Sequence, residues 1–221
     1  MRLPGSAVQP LGEAAWTVTL GDRVERATHE RVLALAQRVA AEAIPGVQEL
    51  IPAYAALTVC FDPLVADADA LRLRLARLAA VASLPSESRT VGPSDRLVRI
   101  PVVYDGPDLD FVAERTSLTR SQVIDLHSGR EYRVYLLGFA PGFAYLGDLD
   151  AGLVLPRRRE PRPRVAAGSV GIAGAQTGVY PLATPGGWHL LGRTGLRCFD
   201  PARHPPALLQ PGDRVRFEPV A

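Results

Sequence analysis

The chain has 221 residues, of which 47% are hydrophobic and 22% are charged, and its formal net charge is +2. This balance is ordinary for a globular protein and excludes disordered and fibrous classes, and the near-neutral charge leaves no footprint for nucleic acid or an anionic membrane. No apolar run approaches the roughly 20 residues of a membrane span, and no leader pattern begins the chain, so we expect a cytoplasmic protein. Cys60 and Cys198 lie far apart and are expected to be free thiols.

The first part of the chain alternates strand and helix patterns. Short segments of alternating or continuous apolar residues predict strands at 7–10, 16–20, 47–51 and 56–61. Apolar residues at three- and four-residue spacing predict a helix over 29–43, with Thr28 as its N-cap, and a second helix that begins after Asp67. The order ββαββα predicts a small domain of two layers, with the helices on one face of the sheet.

Residues 84–95 are polar, contain proline and show no periodicity, so we predict a domain boundary there, with a first domain at 1–88 and a second at 89–221. Beyond residue 138, short apolar runs alternate with glycine and proline, a pattern typical of a β-barrel or a sandwich. The stretch before that point predicts strands at 96–104 and 132–137 and a helix at 119–128, with Thr119 and Gln122 in capping-box positions. The fold class is therefore α+β.

Two glycine-rich stretches, 137–147 and 168–188, have a composition that fits neither a helix nor a regular strand. Glycine and proline shape the backbone, and the aromatics supply flat apolar walls, so we predict a pocket for a small molecule. The amide, hydroxyl, phenol and indole groups of the second stretch suit an amide- or urea-like ligand, or they are core side chains with satisfied polar tips. The candidate ligand-binding residues are Gly138, Phe139, Pro141, Gly142, Phe143, Tyr145, Gln176, Thr177, Tyr180, Gly187 and Trp188.

Charged and titratable side chains lie close to these stretches. The segment Pro-Arg-Arg-Arg-Glu-Pro-Arg-Pro-Arg at 156–164 either binds a carboxylate or phosphate, with Arg157 and Arg158 as candidates, or forms a solvated loop. The four histidines lack metal-ligand spacing, so we expect no metal site. His127 closes the short helix ten residues before the first glycine stretch. It is the preferred acid-base candidate, with a structural histidine as the alternative.

Seven short motifs resemble those of the family that contains the B subunit of 5-oxoprolinase, the sporulation kinase inhibitor KipI and allophanate hydrolase subunit 1. They are Leu-His-Ser at 126–128, Gly-Phe-Ala-Pro-Gly-Phe-Ala-Tyr-Leu-Gly at 138–147, Pro-Arg-Arg at 156–158, Ala-Gly-Ser-Val-Gly-Ile-Ala-Gly at 167–174, Gln-Thr-Gly-Val-Tyr-Pro at 176–181, Pro-Gly-Gly-Trp at 185–188 and Gly-Arg-Thr at 192–194. The resemblance covers almost the whole chain. It implies a small α/β sandwich followed by a cyclophilin-like β-barrel.

The resemblance also implies a function as one component of a larger enzyme. In the family, the B subunit of 5-oxoprolinase acts with the A and C subunits to open 5-oxoproline to L-glutamate with ATP and its Mg²⁺, because phosphorylating a lactam oxygen makes the ring easier to open. From residue type and loop composition, our hypothesis is that the pocket residues and Arg193 bind the lactam or phosphate and that His127 assists proton transfer. The sequence has no Walker-type phosphate loop of its own. The alternatives are a KipI-like inhibitor of a sensor histidine kinase and the acceptor side of a urea carboxylase or allophanate system.

Overall fold

The computed structural model describes residues 7–82 and 96–221. The contacts between Cα atoms divide the chain into two compact units, Met1–Pro93 and Ser94–Ala221. The boundary predicted at residues 84–95 lies outside the described residues, so the domain limits 1–88 and 89–221 stay a prediction.

The first unit is a two-layer α/β sandwich with the predicted order ββαββα. Its elements are β1 (Ala7–Pro10), β2 (Ala15–Thr19), α1 (Arg26–Ala41), β3 (Val47–Ala53), β4 (Ala56–Phe61) and α2 (Ala68–Ala82). The strands form an antiparallel sheet in the order β1-β2-β4-β3. Along β4, Leu57, Val59 and Phe61 alternate with less buried residues, because successive side chains point to opposite faces of a sheet. They share one core with the apolar stripes of both helices.

The start of the first helix differs from the prediction. Helix α1 begins at Arg26, after Glu25, and Thr28 is a buried residue inside the helix rather than its N-cap. Tertiary packing explains the difference. The Thr28 side chain packs against Gly21, where an added Cβ would lie 2.8 Å from Thr28 Cγ2. The predicted start of the second helix, after Asp67, is confirmed, since the Asp67 carboxylate accepts a hydrogen bond from the Ala70 amide at 3.0 Å.

The second unit is a barrel-like domain with two short helices. Its elements are β5 (Leu97–Val102), α3 (Leu109–Thr116), α4 (Arg120–Ser128), β6 (Glu131–Leu137), β7 (Ala144–Gly147), β8 (Arg162–Val165), β9 (Ser169–Ala173), β10 (Gln176–Val179), β11 (Thr184–Gly186), β12 (His189–Arg193) and β13 (Arg214–Pro219). Seven strands follow the order β12-β9-β10-β7-β6-β13-β5, and β8 pairs separately with β11. Val103, directly after β5, exchanges two 2.9 Å backbone hydrogen bonds with Arg193 of β12. This bridge joins the two edges of the sheet, and the α+β class with a barrel is confirmed.

The two helices of this unit pack on the barrel core. Leu109 and Val112 of α3 and Val123 of α4 belong to the same buried cluster as the inward residues of the strands. Helix α4 begins with the predicted capping box, in which the Gln122 amide donates to Thr119 Oγ1 and the Thr119 amide donates to Gln122 Oε1. Helix α3 was not predicted, because its eight residues are too few to show a clear helical period.

The barrel wall has a second apolar cluster on its other face. In β7, Ala144 and Leu146 belong to the barrel core, whereas Tyr145 packs on the smaller cluster that contains Phe143, immediately before the strand. Alternation along a strand places these two sets on opposite faces. The smaller cluster, which also holds Tyr180 and Trp188, therefore lies on the outer face of the barrel wall.

The bridge that joins the sheet edges predicts a stability effect at Gly192. A methyl group there would press against the Val103 carbonyl oxygen and lie 3.0 Å from the Tyr104 Cα. We expect Gly192→Ala to lower the free energy of unfolding by about 1–3 kcal/mol, the range for overpacking. Gly195→Ala is the matched control, because a methyl at that position meets nothing within 4 Å. Urea unfolding curves that coincide for the two variants would contradict the role of this close approach.

Candidate functional site

A cavity of about 260 Å³ opens beside the outer apolar cluster. Its lining residues are Phe139, Phe143, Tyr145, Arg157, Arg158, Pro161, Tyr180, Pro185, Gly186, Gly187 and Trp188. The described residues that line it thus combine aromatic rings, prolines and glycines with two guanidinium groups and include no carboxylate. Such a lining suits a compact, flat and negatively charged solute.

Phe143 is the centre of the aromatic wall. Its side chain is 1% exposed and packs edge to face against four other rings. The ring centroids lie 5.4 Å away for Phe139, 5.0 Å for Tyr145, 5.3 Å for Tyr180 and 5.4 Å for Trp188. Edge-to-face pairs of this kind contribute about 0.5–1.5 kcal/mol each beyond the burial of their area. The wall is therefore fixed by mutual contacts among its aromatic side chains.

The first glycine stretch folds back on itself to present one aromatic at the rim. The Gly138 amide donates to the Phe143 carbonyl oxygen at 3.0 Å, which closes the loop. Gly142 has a φ of 77°, and a Cβ there would lie 2.7 Å from the Phe199 Cβ, so only glycine fits. Phe139 also has a positive φ, 70°, and is 59% exposed. A left-handed backbone at a non-glycine residue costs free energy, and such residues occur at ligand-binding segments as well as at turns and helix ends.

The opposite wall is built by the arginine segment and the second glycine stretch. The Arg158 amide donates to the Gly187 carbonyl oxygen at 2.8 Å, and Gly186 pairs with Arg162 across β11 and β8. Gly186 lies against the Tyr180 ring so closely that a Cβ would collide with it. The backbone of these two segments therefore approaches the aromatic wall as closely as glycine permits.

A buried carboxylate holds two arginines at this wall. Asp108 Oδ1 accepts hydrogen bonds from Arg158 at 3.1 Å and Arg162 at 2.7 Å, and Oδ2 accepts from the Leu190 amide at 2.7 Å. Burial raises the pKa of Asp108, but the hydrogen bonds from Arg162 and Leu190 and both guanidinium charges together lower it by more, so the net pKa lies below its usual value. Asp108 is thus ionised at neutral pH. Sequence reasoning missed it, because its partners lie at least 50 residues away.

His127 lies in the barrel core and not at the cavity. It is fully buried, and its ring stacks on Phe217 with the centroids 4.5 Å apart. The Thr177 hydroxyl donates to the Gly171 carbonyl oxygen, so its oxygen accepts the Nε2 proton of His127 at 2.8 Å. Nδ1 then accepts from the Tyr104 hydroxyl at 2.7 Å. This chain satisfies a neutral imidazole, and burial lowers the pKa of His127 to about 3.

The structure brings some of the sequence-predicted site residues together and places others elsewhere. Eight of them line the cavity, namely Phe139, Phe143, Tyr145, Arg157, Arg158, Tyr180, Gly187 and Trp188. Gly138, Pro141 and Gly142 form the loop that carries Phe139, whereas Thr177 and His127 meet in the barrel core. Gln176 begins β10 opposite Ala173, and Arg193 pairs with Asp105 at 2.9 Å. The roles predicted for these residues stay predictions.

Pro161, Pro185 and Gly186 also line the cavity and were not predicted as site residues. All three lie within the proline- and glycine-rich segments 156–164 and 168–188, whose composition had already indicated a binding site. Composition alone does not separate the residues that face a cavity from those that shape the turn behind it.

Within residues 7–82 and 96–221, no group of three or more His, Cys, Asp or Glu side chains is arranged to hold a metal ion. None of the helices in these ranges has the length and apolar character needed to traverse a bilayer. Cys60 and Cys198 are both free, and burial raises the pKa of the Cys198 thiol to about 11.

Comparison with known proteins places this geometry in context. The family model described as carboxyltransferase domain, subdomain C and D, matches residues 6–209. The chain is 49% identical to the B subunit of 5-oxoprolinase from Escherichia coli O157:H7, over 95% of this chain and 94% of that protein. It is 40% identical to the B subunit of 5-oxoprolinase from Bacillus subtilis (strain 168), over 95% of this chain and 91% of that protein.

Solved structures share the fold. A crystal structure of TTHA0988 matches with a TM-score of 0.81 and 43% identity, over 94% of this chain. The match takes up 40% of that longer chain. The urea amidolyase of K. lactis matches with a TM-score of 0.79 at 22% identity, over 98% of this chain and 15% of that chain, a likeness of fold alone.

The buried histidine predicts a pH dependence of stability. Because the folded pKa of about 3 lies below the ordinary value of 6.5, only the unfolded chain takes up this proton between those pH values. His127 therefore lowers stability as the pH falls from 6.5 towards 3, with a limiting slope of about 1.4 kcal/mol per pH unit. We expect urea unfolding from pH 7 to pH 4 to show a shallower loss for His127→Gln than for the wild type. The exposed His204→Gln serves as control, and parallel profiles for His127→Gln and wild type would refute the prediction.

Proposed function

The chain belongs to the family of carboxyltransferase domains, subdomains C and D, and from this premise we propose that it is the B subunit of an ATP-dependent 5-oxoprolinase. In this proposal it acts with the A and C subunits to open 5-oxoproline to L-glutamate. The observation that carries the proposal is the match to two curated proteins of that name over more than nine-tenths of their length and of this chain. Such a match covers nearly all of each relative and not one shared module.

The cavity supports a substrate of this class. 5-Oxoproline is a small five-membered ring that carries one amide and one carboxylate. The Phe143-centred wall offers flat apolar surface for the ring, and Arg157 and Arg158 offer charge for the carboxylate. The Tyr145 and Tyr180 hydroxyls supply neutral donors and acceptors for the amide. Both aromatic rings and cations are thus available within one cavity of suitable size.

The same cavity suits the small ring better than it suits ATP. Its volume of about 260 Å³ lies below the range of roughly 300–1,000 Å³ that is usual for larger ligands. Its described lining also holds no carboxylate that would ligate Mg²⁺ beside a triphosphate. In the proposal, ATP and Mg²⁺ therefore bind elsewhere in the assembled complex, and this chain contributes the binding of the ring.

The role of His127 is the part of the sequence-based hypothesis that the geometry supports least. Its neutral ring is enclosed by Tyr104, Thr177 and Phe217 in the barrel core, whereas the cavity lies on the outer face. Direct acid-base catalysis would need the substrate or a proton path to reach that ring. We therefore propose that His127 holds the β10 strand in place through Thr177, behind the wall that carries the cavity.

Reconstitution of the complex tests the proposal. We expect the chain to co-purify with candidate A and C subunits, and 5-oxoproline to stimulate phosphate release and glutamate formation by the assembly. An assembled complex with no such stimulation would refute the proposed function. Biotin-dependent carboxylation of urea would favour the carboxylase alternative, and binding to a sensor histidine kinase without turnover would favour the inhibitor.

Truncation of the rim aromatic tests the cavity within that assay. We expect Phe139→Ala to reduce 5-oxoproline-stimulated ATPase activity at low substrate by about tenfold or more, because the ring loses apolar contact at the mouth. The side chain is 59% exposed, so folding should tolerate the change. Leu64→Ala is the control, because Leu64 is 95% exposed and does not line the cavity. Equal loss in both variants would count against the cavity as the site.

A further inference from the structure

The arginines near the cavity have unequal roles. Of the five arginines in the segment 156–164, Arg157 and Arg158 line the cavity. Arg158 is held by the Asp108 carboxylate, whereas Arg157 is exposed and makes no hydrogen bond or ion pair with any residue that the structure describes. Arg157 is therefore a cation at the cavity whose charge no described side chain neutralises.

The arginine cluster keeps a positive charge after its internal pairing. One carboxylate, Asp108, pairs with both Arg158 and Arg162, so one guanidinium charge remains after this pairing and Arg157 adds another. Arg158 Nε and Arg162 Nη1 are also buried and have no hydrogen-bond partner among the described residues. These two atoms are enclosed, so a solute in the open cavity does not reach them; the positive charge that remains at the wall is what favours an acceptor with negative charge.

The charge of Arg157 is felt at the phenol of Tyr180, which also lines the cavity. Burial dominates and raises the pKa of Tyr180, but the positive charge of Arg157 acts in the opposite direction. Arg157 and Tyr180 line the same cavity. A solute that rests on the aromatic wall is therefore within reach of this guanidinium group.

We propose that Arg157 is the specificity-determining residue of the site and binds the carboxylate of a small ring acid whose flat face rests on the Phe143-centred wall. The inference rests on the proposed function for the identity of the acid, 5-oxoproline. Asp108 is a positioning residue that fixes Arg158 and Arg162 beside it.

A binding experiment tests the inference without turnover. The full chain, alone and with the candidate C subunit, is titrated calorimetrically with 5-oxoproline and with 2-pyrrolidinone, the same lactam without its carboxylate. We expect the wild type to bind the acid at least tenfold more tightly than the neutral lactam, and Arg157→Gln to abolish this preference. Arg159→Gln is the matched control, since Arg159 belongs to the same segment, is exposed and does not line the cavity.

A kinetic experiment on the assembled complex separates binding from chemistry. We expect Arg157→Gln to raise KM for 5-oxoproline at least tenfold and to leave kcat within about twofold, because the carboxylate contact is the same in ground and transition states. Arg157→Lys should recover part of the loss, since it restores the charge without the planar fork.

The outcomes distinguish the inference from the function on which it rests. If Arg157→Gln keeps the preference for the acid, or if the wild type has no preference or binds neither compound, the inference is wrong. If the preference depends on Arg157 but the complex shows no 5-oxoproline-stimulated ATPase, the proposed function fails and the recognition of a ring acid stands. If turnover is present and Arg157→Gln leaves both KM and binding unchanged, the function stands and the inference fails.

Discussion

The Asp108 carboxylate is the contact on which the geometry of the cavity depends. Asp108 stands at the start of α3, and its side chain accepts the Leu190 amide of β12 and one hydrogen bond each from Arg158 and Arg162. A single buried group thereby ties a helix start, a barrel strand and the arginine segment together. Removing a partner from such a buried pair leaves charge without compensation, which typically costs about 3–5 kcal/mol. The pairing also fixes where the cationic wall stands relative to the aromatic one.

The barrel wall separates a neutral interior from a positively charged outer surface. On its inner face, His127, Tyr104 and Thr177 form a neutral hydrogen-bonded chain in the core. On its outer face, aromatic rings and guanidinium groups surround an open cavity. Alternation along β7 and the strands beside it makes both surfaces from the same segments, so that a rigid core lies directly behind the binding wall. Binding groups held on such a support are better positioned than groups on a free loop.

Under the proposed function, this division assigns recognition to the chain and the ATP-dependent chemistry to its companions. The cavity provides a flat apolar surface and excess positive charge, which are means of holding and orienting an anion. Its described lining provides neither a nucleophilic thiol nor a carboxylate. In that proposal, the chain raises the local concentration of the ring and fixes its orientation, and a companion chain acts on the amide. The near end-to-end match to proteins named as one part of a larger enzyme agrees with that arrangement.

The sequence by itself determined the element order of the first unit, the capping box of α4, the barrel-like second unit and the two glycine stretches that reach the cavity. These follow from local rules, since strand alternation, helical spacing and the conformational limits of glycine and proline act over a few residues. Only the tertiary structure decided that His127 lies in the core, that Asp108 holds two arginines and that Arg157 stays unpaired among the described residues. The contacts of His127 with Thr177 and of Asp108 with its arginines join residues 50 or more positions apart, and no local pattern encodes which distant residues will meet.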